Sequence, residues 1–288
     1  MTHHLTVLAQ GLDFPEGPAF DPAGDLWCVE MRAGRLARRR RDGQMDRFEV
    51  GGAPNGIAID QVGGVWFCDA DQGAIRRFDP RAGACATVLD AIAGRPLDRP
   101  NDLAFDPAGN LLFTCPGKSR TEPTGYVGVL SPTGKSAVIA DNLYFPNGLA
   151  FANGDLILAE TRRQRLWRGG WDPATLTWRS PSIFCQTLGA PIGPDGLAVD
   201  EDGRVYAAIY GAGLVQVFGA DGLLQTLLAT LGVNTSNCAF DPSGALGLVV
   251  TETERGQILS FSIGALGAPL FAGQPPAYGK NGTPVDVE

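Results

Sequence analysis

One pattern recurs six times along this chain, and it restricts the possible folds more than any other feature. Variants of NGLAF begin at Glu16 (EGPAFDPAGDLWCVE), Asn55 (NGIAIDQVGGVWFCD), Asn101 (NDLAFDPAGNLLFTC), Asn147 (NGLAFANGDLILAE), Asp195 (DGLAVDEDGRVYAAI) and Asn237 (NCAFDPSGALGLVVTE). The successive steps are 39, 46, 46, 48 and 42 residues. A period of about 40 to 50 residues with strand-like content is the spacing of propeller blades.

Each copy has the same internal order. A short apolar strand meets a turn such as DPAG, where Pro presets φ and Gly takes the less restricted position. A second strand follows (DLWCVE in the first copy) and then a third (GRLARRR). Several copies add a fourth, such as ATVLDAI or SAVIADNL. The 39 glycines and 21 prolines therefore punctuate strands at regular intervals and do not mark low complexity. Trp27, Trp66, Phe113 and Tyr206 share the second-strand register and are expected to pack between neighbouring units.

One such sheet cannot bury both faces alone, whereas six around an axis can, and the ring hides most strand edges. A linear solenoid is the competing geometry, but it favours shorter repeats and needs end caps. The expected fold is all-β, a six-bladed β-propeller occupying residues 1–288 as one domain. The ring could be clasped by LTVLA at 5–9, by LFAG at 270–273, or by both.

Charge removes several function classes. The formal net charge is −8, so the chain lacks the electrostatic footprint for nucleic acid or an anionic membrane. The basic run Arg38 to Arg41 reads as the solvated end of a surface strand. The opening MTHHLTVLAQGLDFPEG has no basic stretch followed by an apolar run, and no stretch of 18 apolar residues occurs, so neither a signal peptide nor a membrane span is expected. Cys28, Cys68, Cys85, Cys115, Cys185 and Cys238 are scattered without a CxxC and are expected as reduced thiols, which suits a cytoplasmic location.

The register at the head of each repeat holds Glu16, Asn55, Asn101, Asn147, Asp195 and Asn237. In a propeller the first strand is innermost, so these six positions are expected to converge at the channel mouth. Asn and Asp also serve turns through their own side chains, and the NG and DG pairs fit that reading. Glu16, held in PEGP, fits it poorly. The functional reading gives Glu16, Asp195, Asn147 and Asn101 to a divalent cation, because all-oxygen ligation suits Ca²⁺ and also Mg²⁺ or Mn²⁺. The only histidines are His3 and His4, and there is no GxSxG elbow, which removes a Ser-His-Asp triad and most histidine-base schemes.

The strings EGPAFDPAGDLW, RPNDLAFDPAGNLLF, FPNGLAF and GPDGLAVDEDGRVY resemble the gluconolactonase/regucalcin family, also called the senescence-marker-protein family, over residues 5 to 271. The resemblance implies a six-bladed propeller with one divalent cation at the top of its channel, and hydrolysis of a small-molecule lactone, often a sugar lactone. It implies Glu16, Asn147 and Asp195 as metal ligands, with Asp195 also the acid/base residue. Arg99 and Asn101 of RPND are implied as substrate-binding residues, Asn101 as a metal contact otherwise, and Glu122 is the nearest match to an acidic residue in the third unit's loop. Ca²⁺ is the expected ion, with Mg²⁺, Mn²⁺, Zn²⁺ or Fe²⁺ as alternatives. Lys118 and Arg120 are candidates for a lid, and selectivity is expected in the loops 118–125 and 186–194. A phosphotriesterase of the family is an alternative, but its pattern carries a channel histidine that this chain lacks. A propeller that binds at its polar mouth without catalysis is a second alternative.

Overall fold

The turn aspartates explain how the repeat folds. In the first DPAG turn, Asp21 Oδ1 accepts the backbone N–H groups of Ala23 and Asp25, while Oδ2 accepts the indole N–H of Trp27 at 2.9 Å. Asp60 does the same for Val62, Gly64 and Trp66. Asp200 does so for Asp202, Arg204 and the Tyr206 hydroxyl. One carboxylate thus fixes the hairpin turn and the aromatic residue that packs beyond it. Those rings then join blades, as expected: Trp66 meets Phe105 edge-on at 5.6 Å and Tyr206 meets Phe240 at 5.0 Å.

The structure, a computed structural model, describes residues 4–189, 191–277 and 280–282. His3 and residue 190 of the 186–194 loop lie outside them. Six four-stranded antiparallel sheets form a six-bladed β-propeller. Their innermost strands are Pro15–Phe20, Pro54–Ile59, Leu103–Phe105, Pro146–Ala152, Gly193–Val199 and Thr235–Phe240. Apolar clusters at the blade contacts form the core: Trp27, Val29, Ile57 and Phe67 meet between blades one and two, and Leu197, Val205 and Phe218 belong to the cluster that blade five shares with blade four.

Of the two possible clasps, the N-terminal one is a strand. His4–Gln10 pairs antiparallel with Gln257–Ser262 and becomes the outer strand of the sixth blade. The 270–273 segment is not a strand. It belongs to a strap that crosses the face opposite the inner-strand starts. Ala268 donates to Val199 O at 2.9 Å, Gln61 donates to Gly273 O at 3.0 Å, and Phe271 packs on Phe151. A Cβ on Gly273 would sit 2.1 Å from the Phe105 ring, so this crossing needs glycine. Under the strap lies a cavity of about 580 Å³ that reaches up to Asp102 and Asn237.

All six cysteines are free thiols, five of them buried. The basic run is more engaged than expected: Arg38 and Arg40 both pair with Asp46. No described helix is long and apolar enough to cross a membrane.

Candidate active site at the channel mouth

Five of the six inner strands begin with an irregularity that aims the first polar residue, and blade three pairs without one. Pairing slips between Glu16 and Ala19, between Pro146 and Leu149, and between Pro194 and Leu197. Blades two and six slip at the same place. Such bulges re-aim a side chain while the strand continues. Glu16, Asn55, Asn147 and Asp195 are therefore inside strands, so the turn reading of the NG and DG pairs fails, whereas Asn101 lies just before the strand of its blade. Their glycines answer to crowding instead. A Cβ on Gly17 would sit 2.8 Å from Ile57 N, and one on Gly148 would sit 2.7 Å from Gly196 Cα, because neighbouring inner strands nearly touch at the axis.

The pairing also corrects the sixth repeat. Cys238 pairs with Val250 and holds the place of Leu in NGLAF, so Ser236, not Asn237, is the head residue. Asn237 occupies the second place, where blades one, two, four and five have glycine and blade three has Asp102. The two exceptions meet across the channel: Asn237 Nδ2 donates to Asp102 Oδ2 at 3.4 Å. Sequence reasoning missed Asp102. The signal was a charged residue standing where four copies carry glycine.

Glu16, Asn147 and Asp195 are 5%, 4% and 9% exposed. Asn147 Nδ2 donates to Thr161 Oγ1 at 3.2 Å, and Thr161 in turn donates to Pro194 O at 2.7 Å. This chain fixes the amide and ties blade four to blade five beside Asp195. Glu16 is pushed up to about 8 by burial and then by the negative charge of Asp102, with hydrogen bonds from Gly17, Ser236 and Asn237 opposing in part. Burial, Glu16 and Asp102 push Asp195 well above the usual carboxylate range, and Asn147 is its one opposing hydrogen-bond partner. Burial lifts Asp102 to about 6. Three buried carboxylates thus act on one another, and among the described residues none of them is in an ion pair with an arginine or lysine.

The other expected residues divide. Asn101 is half-buried at the head of blade three, and its carbonyl accepts the N–H of Gly56. Asn55 is buried at the head of blade two. Arg99 is exposed, with φ at 53°, a left-handed conformation unusual for a residue other than glycine. Glu122 is exposed on the 116–124 loop of blade three, where its carbonyl accepts the Thr124 N–H, and no side-chain contact joins it to Glu16, Asn147 or Asp195. Tyr210, at the end of the second strand of blade five, is an addition: burial raises its pKa, and the charges of Asp195 and Glu16 reach it.

Among the described residues no group of three or more His, Cys, Asp and Glu side chains is arranged to hold a metal. The candidate set contains two acidic donors, and its remaining oxygens come from amides. That donor chemistry suits a hard cation, since uncompensated buried carboxylates favour either protonation or a bound positive charge.

Fold and site together define a propeller whose axial mouth concentrates buried oxygen donors. The chain belongs to the SMP-30/gluconolactonase/LRE-like family, which matches residues 14–254, and its family-level activity is that of a lactonase-type hydrolase. It is 30% identical to a gluconolactonase of Zymomonas mobilis over 276 residues, covering 83% of this chain and 76% of that one. It is 26% identical to the diisopropyl-fluorophosphatase of Loligo vulgaris, covering 89% and 91%. The fold matches a calcium-binding regucalcin of Agrobacterium tumefaciens with a TM-score of 0.82, at 20% identity, over 93% of this chain and 96% of that one.

Proposed function

We propose that the protein is a divalent-cation-dependent lactonase that opens a sugar lactone to its hydroxy acid. The observation that carries this reading is the convergence of Glu16, Asp102 and Asp195, buried and without a cationic side chain, at the channel mouth. Similarity to a gluconolactonase supports the substrate class. Similarity in fold to a calcium-binding protein makes calcium the first ion to test.

Glu16, Asn147 and Asp195 would hold the ion, and Asn101 would add an oxygen. The bound cation supplies Lewis-acid polarisation of the lactone carbonyl. Asp195 takes the proton of the attacking water and returns it to the ring oxygen as the C–O bond breaks. Burial and two neighbouring carboxylates raise its basicity in the metal-free chain, and a bound cation would oppose that rise. Thr161 keeps the Asn147 amide in one orientation, so its Oδ1 is free for the site. Arg99 and Asn101 would orient the hydroxyls or the carboxyl-like end of the substrate.

The test is a pH-indicator assay on chelator-stripped protein reloaded separately with Ca²⁺, Mg²⁺, Mn²⁺, Zn²⁺ and Fe²⁺. Sugar lactones, aliphatic and aromatic lactones and one phosphotriester are offered in turn. Lactone opening that disappears on stripping and returns with calcium is the expected result. Undiminished opening after complete chelation would sink the metal-centred account. The phosphotriester is included because of the similarity to a diisopropyl-fluorophosphatase, and its turnover in preference to every lactone would favour that second reading. Turnover of nothing would leave a binding propeller.

A further inference from the structure

Three of the candidate site residues are preceded, two positions earlier, by a residue in the left-handed region. These are Phe14 before Glu16 (φ 62°), Arg99 before Asn101 (φ 53°) and Phe145 before Asn147 (φ 60°). Such a conformation is costly for residues with a Cβ and persists where surrounding contacts impose it. Here the contacts are equivalent in two blades: Met31 donates to Phe14 O at 3.1 Å, and Thr161 donates to Phe145 O at 3.0 Å. The rim of the mouth is therefore a shaped, repeated device.

Guanidinium groups lie on that rim. Arg32 stands over the Phe14 ring at 4.6 Å, Arg120 over Phe145 at 5.6 Å, and Arg163 over Tyr144 at 3.8 Å. All three come from loops joining second to third strands, on the side where the inner strands begin. Together with Arg99 they are exposed, and among the described residues none of the four is in an ion pair. Glu122 shares the loop of Arg120, and Asp13 and Asp98 lie in the segments leading into the first strands of blades one and three, without pairing to these arginines. Arginines within the blades behave otherwise: Arg35, Arg76, Arg77 and Arg165 each hold a carboxylate. A guanidinium stacked by its face keeps its N–H edge for a ligand, and that fork matches carboxylate or phosphate oxygens. The charge of Arg32 also reaches Tyr210, as do those of Asp195 and Glu16. Cations on the approach to a site also raise the encounter rate of anions. In a chain of net charge −8, four exposed arginines outside any ion pair thus stand on one rim.

We infer that the substrate is an anionic lactone, one bearing a carboxylate or phosphate in addition to its ring, and that Arg32, Arg120 and Arg163 join Arg99 in receiving that group. This rests on the lactonase reading and narrows it. A neutral sugar lactone would leave these four forks unused.

The experiment compares kcat/KM of the metal-loaded protein for D-glucono-1,5-lactone, its 6-phosphate and D-glucaro-1,4-lactone. At least one anionic lactone is expected to exceed the neutral one by about tenfold, with the advantage shrinking as ionic strength rises from about 0.05 to about 0.5 M. The phosphate and carboxylate arms tell which anion is taken. Arg32→Met and Arg120→Met, which retain an apolar chain over the ring, should each cut the anionic-to-neutral ratio several-fold. Equal turnover of neutral and anionic lactones, or a preference that both variants leave intact, overturns the inference. If no lactone is opened at all, thermal shifts with 6-phosphogluconate and glucarate against the uncharged polyol D-glucitol decide separately. Tighter binding of the first two, weakened by Arg32→Met, would keep the anion site while the lactonase reading falls. Equal shifts for all three overturn it.

Discussion

Buried carboxylates occur in two settings in this propeller, and only one of them is balanced. At the ends of second strands, Glu30, Asp69 and Glu160 are fully buried. Glu30 holds Arg35 and Arg47, Asp69 holds Arg76 at 2.8 Å, and Glu160 holds Arg165 at 2.6 Å. Backbone and indole N–H groups complete their shells, such as Ala53 N–H on Asp69 and Trp167 N–H on Glu160. At the axis, Glu16, Asp102 and Asp195 are nearly as buried, but they face one another and neutral amides. The first set closes on itself and cements each blade. The second leaves negative charge that only a proton or an outside cation offsets, and this asymmetry separates a structural acid from a candidate site.

The sharpest way to break that comparison is to neutralise one acid from each setting. Asp195→Asn should lower lactone opening by roughly a thousandfold, as expected when both the base and a ligand oxygen are lost. Because it removes an uncompensated buried charge, it should leave the melting temperature of the metal-free protein unchanged or raised. Steady-state assay and calorimetry on one preparation check both halves. A large loss of stability with activity per folded molecule retained would place Asp195 with the structural acids.

Asp69→Asn is the converse case. Arg76 is buried and would lose its ion pair, at a cost of about 3 kcal/mol. Activity per folded molecule should persist. Denaturant titration measures the loss, and a cost near zero would show that Arg76 finds solvent or another acceptor, erasing the distinction drawn here.

The sequence made the scaffold legible because the repeat is written in short-range rules. The turn aspartates, the aromatic residues that bond to them and the period between copies can be read without knowing who neighbours whom. The N-terminal clasp was one of two options, since 5–9 and 270–273 are both short apolar runs and pairing with Gln257–Ser262 is non-local. Glu16, Asn147 and Asp195 were visible as polar residues at a shared register. Asp102 was not, because its meaning depends on Asn237, 135 positions away and in the blade across the channel. Counting the sixth copy from Asn237 rather than Ser236 hid that match. The arginine partners of Glu30 and Asp69 were hidden for the same reason: their pairing crosses strands.

Protons report on the same asymmetry with a smaller effect. Glu16 has its pKa raised from 4.5 to about 8 in the folded chain, so the native state holds a proton that the unfolded state has released across that window. Stability from this group is complete below about pH 4.5 and is lost as pH rises through about 8. The chelated protein should therefore melt several degrees lower at the alkaline end than at pH 5, and calcium should restore most of the difference. Glu16→Gln should flatten the slope. A melting profile that is flat between those limits in the stripped wild type would mean that the axial charges are already compensated.

Asp102 is the finest test, because it shares the burial of the axial set yet belongs to neither a ligand group nor an ion pair. Its charge raises both Glu16 and Asp195, and its Oδ2 accepts from Asn237. Asp102→Asn removes that charge while keeping the volume, so the acidic limb of the pH–rate profile should move to lower pH and turnover should fall by about tenfold or less. Adding Asn237→Asp to that variant returns one carboxylate to the same bridge from the opposite blade. Recovery of the original pH profile in the double variant would show that the axis needs a third negative charge and is indifferent to which strand provides it. No movement of the profile in either variant would mean that Asp102 only spaces the inner strands, and the axial set would shrink to Glu16 and Asp195.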